Sequence, residues 1–324
     1  MPTKKHRCAV LDDYQDAAFK VADWSVLDDE VEFTVFNRPL GGPDDIVRAL
    51  KGCSMVVLTR ERTPFPRQVI EQLPDLKLIV TTGARNQVLD VAAAHERGIV
   101  VCNTPTIGFS TTTIAVGLIL ELTRRIGFEN ARMKAGAYWQ GTVGIDPEGK
   151  TLGVIGLGKL GARVSKVALA MGMKPIAWSQ NLTPERCREA GVDYAPSKEQ
   201  LLRQADIVSI HVVLGPRTRG LIGAKEFALM KPTAYLINTS RGPLVDETAL
   251  IDALRTKKIA GAGLDVYDVE PLPVDHPLRK LDNVVLSPHL GYVTQENFRA
   301  SYEGAVGDIR AFLDGKPIRL IAPA

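Results

Sequence analysis

Nothing restricts the folding of this chain more than a rhythm in its N-terminal third. Short apolar runs fall at residues 8–11, 31–36, 55–58, 76–80 and 99–102. Helix-like amphipathic stretches at 44–50, 67–73 and 90–97 lie between them. Apolar runs this short, separated by amphipathic helices, predict βαβ units and a parallel sheet. Lys51-Gly52 and Arg97-Gly98 place a basic residue and then glycine where helices should end. The same alternation resumes at 152–155, 175–178, 207–211, 234–238, 263–266 and 284–286. Between the two series, residues 114–126 are apolar on nearly every face and predict a buried helix joining two domains, followed by a polar, glycine-containing loop over 134–150. A last helix is expected over 297–313, and the short apolar tail beyond it should pack back on the first domain. The chain has 324 residues, and at about 100–200 residues per domain this length also suggests two.

Several function classes are disfavoured by composition. With 45% hydrophobic and 24% charged residues, the chain is neither disordered nor fibrous. The formal charge of +3 comes with no long basic run, so no nucleic-acid partner is expected. Cys8, Cys53, Cys102 and Cys187 show no C-x-x-C spacing, so neither a metal site nor a redox motif is expected. Cys8 and Cys102 lie in apolar runs and read as small core residues of a protein in a reducing compartment. No secretory h-region opens the sequence, and the apolar run 114–120 is far below the roughly 20 residues of a membrane span. The expected location is the cytoplasm, with no membrane partner.

The second series opens on Gly156-Leu157-Gly158-Lys159-Leu160-Gly161, a G-x-G-x-x-G sequence that follows an apolar strand and opens a helix expected over 162–171. That context gives the motif its meaning. Gly156 should make the tight turn, Gly158 should let backbone approach a pyrophosphate, and Gly161 should let helix and strand pack closely. The free N–H groups at the helix start, those of Lys159 and Leu160 among them, would face the phosphates. A dinucleotide, NAD(H) or NADP(H), is therefore the expected cofactor. The next strand ends in Ser179-Gln180-Asn181, without the acid that binds the ribose hydroxyls of NAD. A neutral Ser179 also tolerates a 2′-phosphate, which Arg186 could reach unless it is a solvated helix-start residue. Both cofactors stay open.

Three further strand ends carry polar residues: Arg241 after 234–238, Glu270 in the stretch after 263–266, and His289 after 284–286. Ligands in open α/β sheets bind outside the carboxyl ends of strands, so these three can share one crevice. A 2-oxo acid needs a fork to grip its carboxylate, which arginine supplies. Its carbonyl must gain a proton along with a hydride, which a protonated histidine can give near neutral pH. A carboxylate beside that histidine orients the ring.

The chain resembles the D-isomer-specific 2-hydroxyacid dehydrogenase family over nearly its whole length. The resemblance is carried by residues 156–161, 238–246 (N-T-S-R-G-P-L-V-D), 263–271 (G-L-D-V-Y-D-V-E-P) and 287–291 (S-P-H-L-G). It implies an α/β fold of two doubly wound parallel-sheet domains, a flavodoxin-like substrate domain from 1–103 plus 293–324 and a Rossmann dinucleotide-binding domain from 104–292. It implies that Arg241 binds the substrate carboxylate, that His289 is the acid/base with Glu270 as partner, that Asp265 lies beside the nicotinamide carboxamide, and that Thr239, Ser240, Ser179 and Gln180 line the cofactor. It further implies a homodimer formed through the nucleotide domains.

The departures from the family pattern fall near the substrate. The first-domain loop reads Thr82-Gly83-Ala84-Arg85, with Arg85 where a second glycine is usual. Gly83, Ala84, Arg85 and Arg60 are the expected substrate-side contacts of the first domain. Arg85 would either meet a second acidic group or point outward, and Arg62 is a further cation in the same stretch. His211 is followed by Val212-Val213 where proline is common, which leaves it a structural residue or a cofactor-edge contact. Thr113 stands where many members have glutamate. Glyoxylate, hydroxypyruvate and doubly anionic 2-oxo acids all remain open as substrates. Two other functions do as well: a dinucleotide-sensing binding protein with little catalysis, and a phosphite-type dehydrogenase.

Overall fold

The computed structural model describes residues 5–323. The chain divides into two compact units, Met1–Gly108 with Val293–Ala324, and Phe109–Tyr292.

In the first unit, strands β1 (His6–Val10), β2 (Val31–Val35), β3 (Met55–Leu58), β4 (Leu78–Thr81) and β5 (Val100–Asn103) form one parallel sheet in the order β2-β1-β3-β4-β5. That is the flavodoxin-like order. Its register aligns Cys8, Met55, Leu78 and Val100 across four strands. β3 and β4 are buried at every position, because helices cover both faces, and this is why they read as unbroken apolar runs rather than alternating ones. Ile46, Leu50, Val69 and Ile70 supply the apolar faces of two of those helices. The helix Gln295–Leu313 brings the chain back to this unit and packs against β4 and β5. The tail then pairs with the sheet edge: Asn103 N donates to Arg319 O at 3.0 Å and Ile321 N to Val101 O at 2.9 Å. The apolar tail thus covers the otherwise unpaired side of β5.

In the second unit, β6 (Thr151–Ile155), β7 (Lys174–Trp178), β8 (Asp193–Tyr194), β9 (Ile207–Ile210), β10 (Tyr235–Asn238), β11 (Gly261–Leu264) and β12 (Val284–Leu286) form a parallel sheet ordered β12-β11-β10-β9-β6-β7-β8. The chain moves outward one way from β6 to β8 and the other way from β9 to β12. The strand order therefore reverses between β6 and β9, the place where open α/β sheets bind ligands.

The expected strands are present with ends shifted by a residue or two. The linking segment differs more. Residues 114–126 were expected as one buried helix, but the helix is Ser110–Arg124, and Arg125 takes a left-handed φ of 52° that ends it. A second helix, Ile126–Lys134, follows with no buried residue. Only one face of the first helix is buried, with Ala115, Leu118, Ile119 and Leu122 packed under the sheet. The helix expected at 162–171 starts earlier, as Lys159–Ala170, so Gly161 lies inside it. β8, only two exposed residues long, carries no apolar signal in the sequence. All four cysteines are free and buried. Among the described residues, no helix is long and apolar enough to cross a membrane.

Candidate active site

The turn after β6 is built by three glycines with three different tasks. Gly156 has φ +100° and turns the chain against the His211 carbonyl, 2.7 Å from where a Cβ would sit. Gly161 must lack a side chain because a Cβ there would overlap the Gly156 carbonyl oxygen. Gly158 caps the helix Lys159–Ala170 in extended backbone, and nothing lies within 4 Å of its Cβ position. Open space over bare backbone, beside the N–H groups of Lys159 and Leu160, allows the close approach that a pyrophosphate needs. Thr239, at the end of β10, adds a buried hydroxyl without a partner. These residues fit a bound dinucleotide.

Other expected cofactor residues are more constrained. Ser240 Oγ donates to Ile210 O at 2.8 Å, tying the ends of β9 and β10 together. Ser179 is half-buried and Gln180 exposed beyond β7. Arg186 pairs with Glu189 at 3.0 Å on its own helix, as a solvated helix-start residue does. His211 shares a 2.9 Å hydrogen bond with Ser209, and burial pushes its pKa down to about 4, so it stays neutral.

Arg241 follows β10 in extended conformation. Asn238 braces the turn: its Nδ2 donates to Arg241 O at 2.9 Å and its Oδ1 accepts from Ser240 N at 3.1 Å. Arg241 Nη1 donates to Ser240 O at 2.7 Å, which fixes one arm of the fork. Gly242 then lies directly on the Tyr267 peptide, leaving no room for a Cβ.

β11 and β12 deliver the other two side chains. His289 Nδ1 and Glu270 Oε2 are 2.6 Å apart. A carboxylate can only accept, so Nδ1 carries the proton and Nε2 is left at the far end of the ring. Burial pushes the Glu270 carboxyl up, but the hydrogen bond and charge of His289, the Tyr267 N–H and the Arg241 charge outweigh it. The net result lies below the usual carboxylate range, and Glu270 is ionised at neutral pH. The His289 ring also meets Tyr292 edge-on, with centroids 5.4 Å apart.

His289 is held by its loop at φ +52°, a region that side chains other than glycine rarely occupy. The fully buried Asp265 organises that loop: Oδ1 accepts from Ser287 Oγ and Leu290 N, and Oδ2 from Gly291 N at 2.8 Å. Burial raises its carboxyl above the usual range despite those donors. On the other side, Thr111 Oγ1 donates to Gly291 O at 3.0 Å. Thr111, Gly242 and Tyr267 carry no signal in the sequence for these tasks, because loop spacing does not show which backbone atom a side chain meets.

Arg60, Gly83, Ala84 and Arg85 belong to the first unit, beyond β3 and β4. Arg60 has φ +55°; its N–H donates to Thr82 Oγ1 at 2.9 Å and its carbonyl accepts from Asn86 Nδ2 at 2.8 Å. Its guanidinium fills the space above Gly83 where a side chain would sit. Gly83 N donates to Thr104 Oγ1 at 3.0 Å, while Ala84 and Arg85 are exposed. Arg62 Nη1 donates to Asp12 O at 2.6 Å, and its guanidinium lies 4.5 Å from the Tyr14 ring centre.

Residues 116–291 match the model of the D-isomer specific 2-hydroxyacid dehydrogenase, NAD binding domain. The chain belongs to this dehydrogenase family. A hydroxypyruvate reductase of Blautia hydrogenotrophica is 33% identical over 313 residues, covering 92% of this chain and 94% of its own length. A glyoxylate reductase of Thermococcus litoralis is 40% identical over 259 residues, covering 77% and 78%. Among solved structures, a phosphoglycerate oxidoreductase from Vibrio cholerae superimposes with a TM-score of 0.91 at 30% identity, covering 96% of this chain and 99% of the other. The apo D-lactate dehydrogenase of Escherichia coli gives 0.84 at 26% identity, covering 98% and 100%. The dehydrogenase thus carries its glycine turn, Arg241, Glu270 and His289 within a family NAD-binding domain. Arg60, Gly83, Ala84 and Arg85 lie outside the matched segment.

Proposed function

We propose that Arg241 anchors the carboxylate of a small 2-oxo acid, that His289 exchanges the proton with the substrate oxygen, and that Glu270 holds His289 for that exchange. What carries the reading is the 2.6 Å contact between His289 Nδ1 and Glu270 Oε2, which leaves Nε2 for the substrate. When bound, the reduced nicotinamide supplies the hydride. The carbonyl oxygen takes its proton from Nε2 of the imidazolium, and the neutral ring takes it back in the oxidative direction. One arm of the Arg241 fork is fixed on Ser240 O, so the group meets a carboxylate with part of its entropy already lost.

His289→Asn should lower kcat for reduction by about 10²–10⁴-fold, the usual contribution of a general acid. Arg241→Ala should abolish turnover while cofactor affinity survives. Unchanged turnover in either variant contradicts the assignment.

Around the cofactor, the backbone of Gly156, Gly158, Lys159, Leu160 and Gly161 would hold the pyrophosphate, and Thr239 would spend its unpaired hydroxyl on the ligand. Ser240 would line the cofactor through its backbone, because its hydroxyl is already committed to Ile210 O. Ser179 and Gln180 would border the adenosine ribose. A neutral Ser179 supports acceptance of NADP(H) beside NAD(H), because no carboxylate there repels a 2′-phosphate. On the substrate side, Gly83, Ala84, Arg60 and Arg85 are proposed contacts. The exposed Arg85 favours 2-oxo acids that carry a second anionic group, whereas Arg60 already lies 3.5 Å from the Glu61 carboxylate. A homodimer through the nucleotide unit is supported by a run of exposed apolar residues: Ile126, Met133, Tyr138, Trp139 and Val143. A cytoplasmic location agrees with the four reduced, buried cysteines.

A further inference from the structure

Three loops carry the three proposed active residues, and one residue, Tyr267, touches all of them, two through its backbone and one through its side chain. Tyr267 N donates to Glu270 Oε1 at 2.9 Å, fixing the carboxylate oxygen that does not face His289. The Tyr267 carbonyl is the surface on which Gly242, next to Arg241, is packed. The phenol hydroxyl lies 2.9 Å from Ser287 O and 3.2 Å from Leu264 O, bridging the ends of β11 and β12. Ser287 is two residues before His289, and its carbonyl also accepts the His289 N–H at 3.0 Å.

We propose that Tyr267 is a positioning residue for the reaction, whose hydroxyl pins the His289 loop to the loop that carries Glu270. The proposal rests on the reading of His289 and Glu270 as the acid/base pair. The backbone contacts of Tyr267 persist with any side chain, but the tie to Ser287 depends on the hydroxyl alone. Packing does not replace it. The ring is buried, yet a cavity of about 10 Å³ lined by Asn238, Gly242, Leu264 and Tyr267 lies beside it. That space holds one water at most, but it is enough for the ring to shift once the hydroxyl is gone. A loop already held at a left-handed histidine has reason to relax when one tether is cut. The consequence is a proton donor displaced by a fraction of an ångström from the oxygen it serves. A change of that kind lowers kcat without weakening ligand binding.

The test is a double-mutant cycle with Tyr267→Phe and His289→Asn, measured with purified full-length enzyme. Tyr267→Phe should lower kcat about tenfold, with KM for the oxo acid and Kd for the cofactor changed less than about twofold. In the His289→Asn background the same substitution should cost nothing further, because the hydroxyl acts through His289. An equal loss of kcat in both backgrounds, or a matching loss of cofactor affinity, overturns the proposal in favour of a merely structural tyrosine. So does full kcat in Tyr267→Phe. Full activity in His289→Asn alone instead overturns the acid/base reading on which the proposal stands.

Discussion

In the proposed reaction Glu270 is the residue whose state matters most, because its ionised carboxylate accepts the Nδ1 proton of His289. Its folded pKa is depressed, so the carboxylate is fully present above the ordinary carboxylate range and is lost only as pH falls through the lower folded value. Wild-type reductive kcat should therefore hold steady on the acid side down to about pH 4 or the onset of unfolding. Glu270→Gln should cost about 10–100-fold in kcat, since the amide keeps the shape but removes the charge. A pH–rate profile of the wild type whose acid limb falls near pH 6, or a fully active Glu270→Gln, contradicts this. Arg241, Glu270 and His289 stood out in the sequence as candidates because each follows a strand end in a distinctive block. The partners that hold them did not. Asp265 reads in the sequence only as a cofactor contact, and the sequence does not show that its oxygens accept three hydrogen bonds from the loop around His289. Hydrogen-bond partners in loops depend on tertiary approach, to which residue spacing is blind.

Helices and strands divide in the same way. Strands such as β3 and β9 were readable because burial on both faces leaves an uninterrupted apolar run. The break at Arg125 was not, because the left-handed position is taken by an arginine while the nearby glycine, Gly127, lies inside the next helix. The helix Ile126–Lys134 was hidden too, since its apolar residues are not on a buried face. The loop after β12 is the element on which the proposed reaction depends most, because it carries His289. Its conformation is unfavourable at His289 and is compensated by the three bonds to Asp265. Asp265→Asn turns an acceptor into a donor that faces N–H and O–H donors. The variant should lose about 1–3 kcal/mol of stability and at least about tenfold in kcat as the loop relaxes. Urea denaturation together with steady-state kinetics reads both, and an unaltered kcat would show that the loop holds His289 without Asp265.

At the scale of the whole molecule, the C-terminal tail is stapled to the last helix by Arg319 and a buried carboxyl whose charge depends on pH. Arg319 donates to Asp308 Oδ1 at 3.0 Å, while Asp308 Oδ2 is buried without a partner. Burial outweighs Arg319 and raises the Asp308 carboxyl to about 7. A carboxyl raised on folding binds its proton more tightly in the native state. Its contribution is therefore largest below the unfolded value near 4 and declines as pH rises through about 7. Asp308→Asn cannot titrate, so the difference in Tm between variant and wild type should move in favour of the variant from pH 5 to pH 8. A difference that stays constant across that range would place the Asp308 carboxyl at an ordinary value.

Reduction of a 2-oxo acid through Arg241, Glu270 and His289 is tested most directly by turnover of the purified enzyme, read as loss of reduced-nicotinamide absorbance. NADH and NADPH are each crossed with glyoxylate, hydroxypyruvate, pyruvate, 2-oxoglutarate and phosphohydroxypyruvate. Turnover of at least one acid with NADH, accompanied by measurable use of NADPH, is the predicted result. Tight cofactor binding without turnover of any acid would contradict it and point to a dinucleotide-sensing protein.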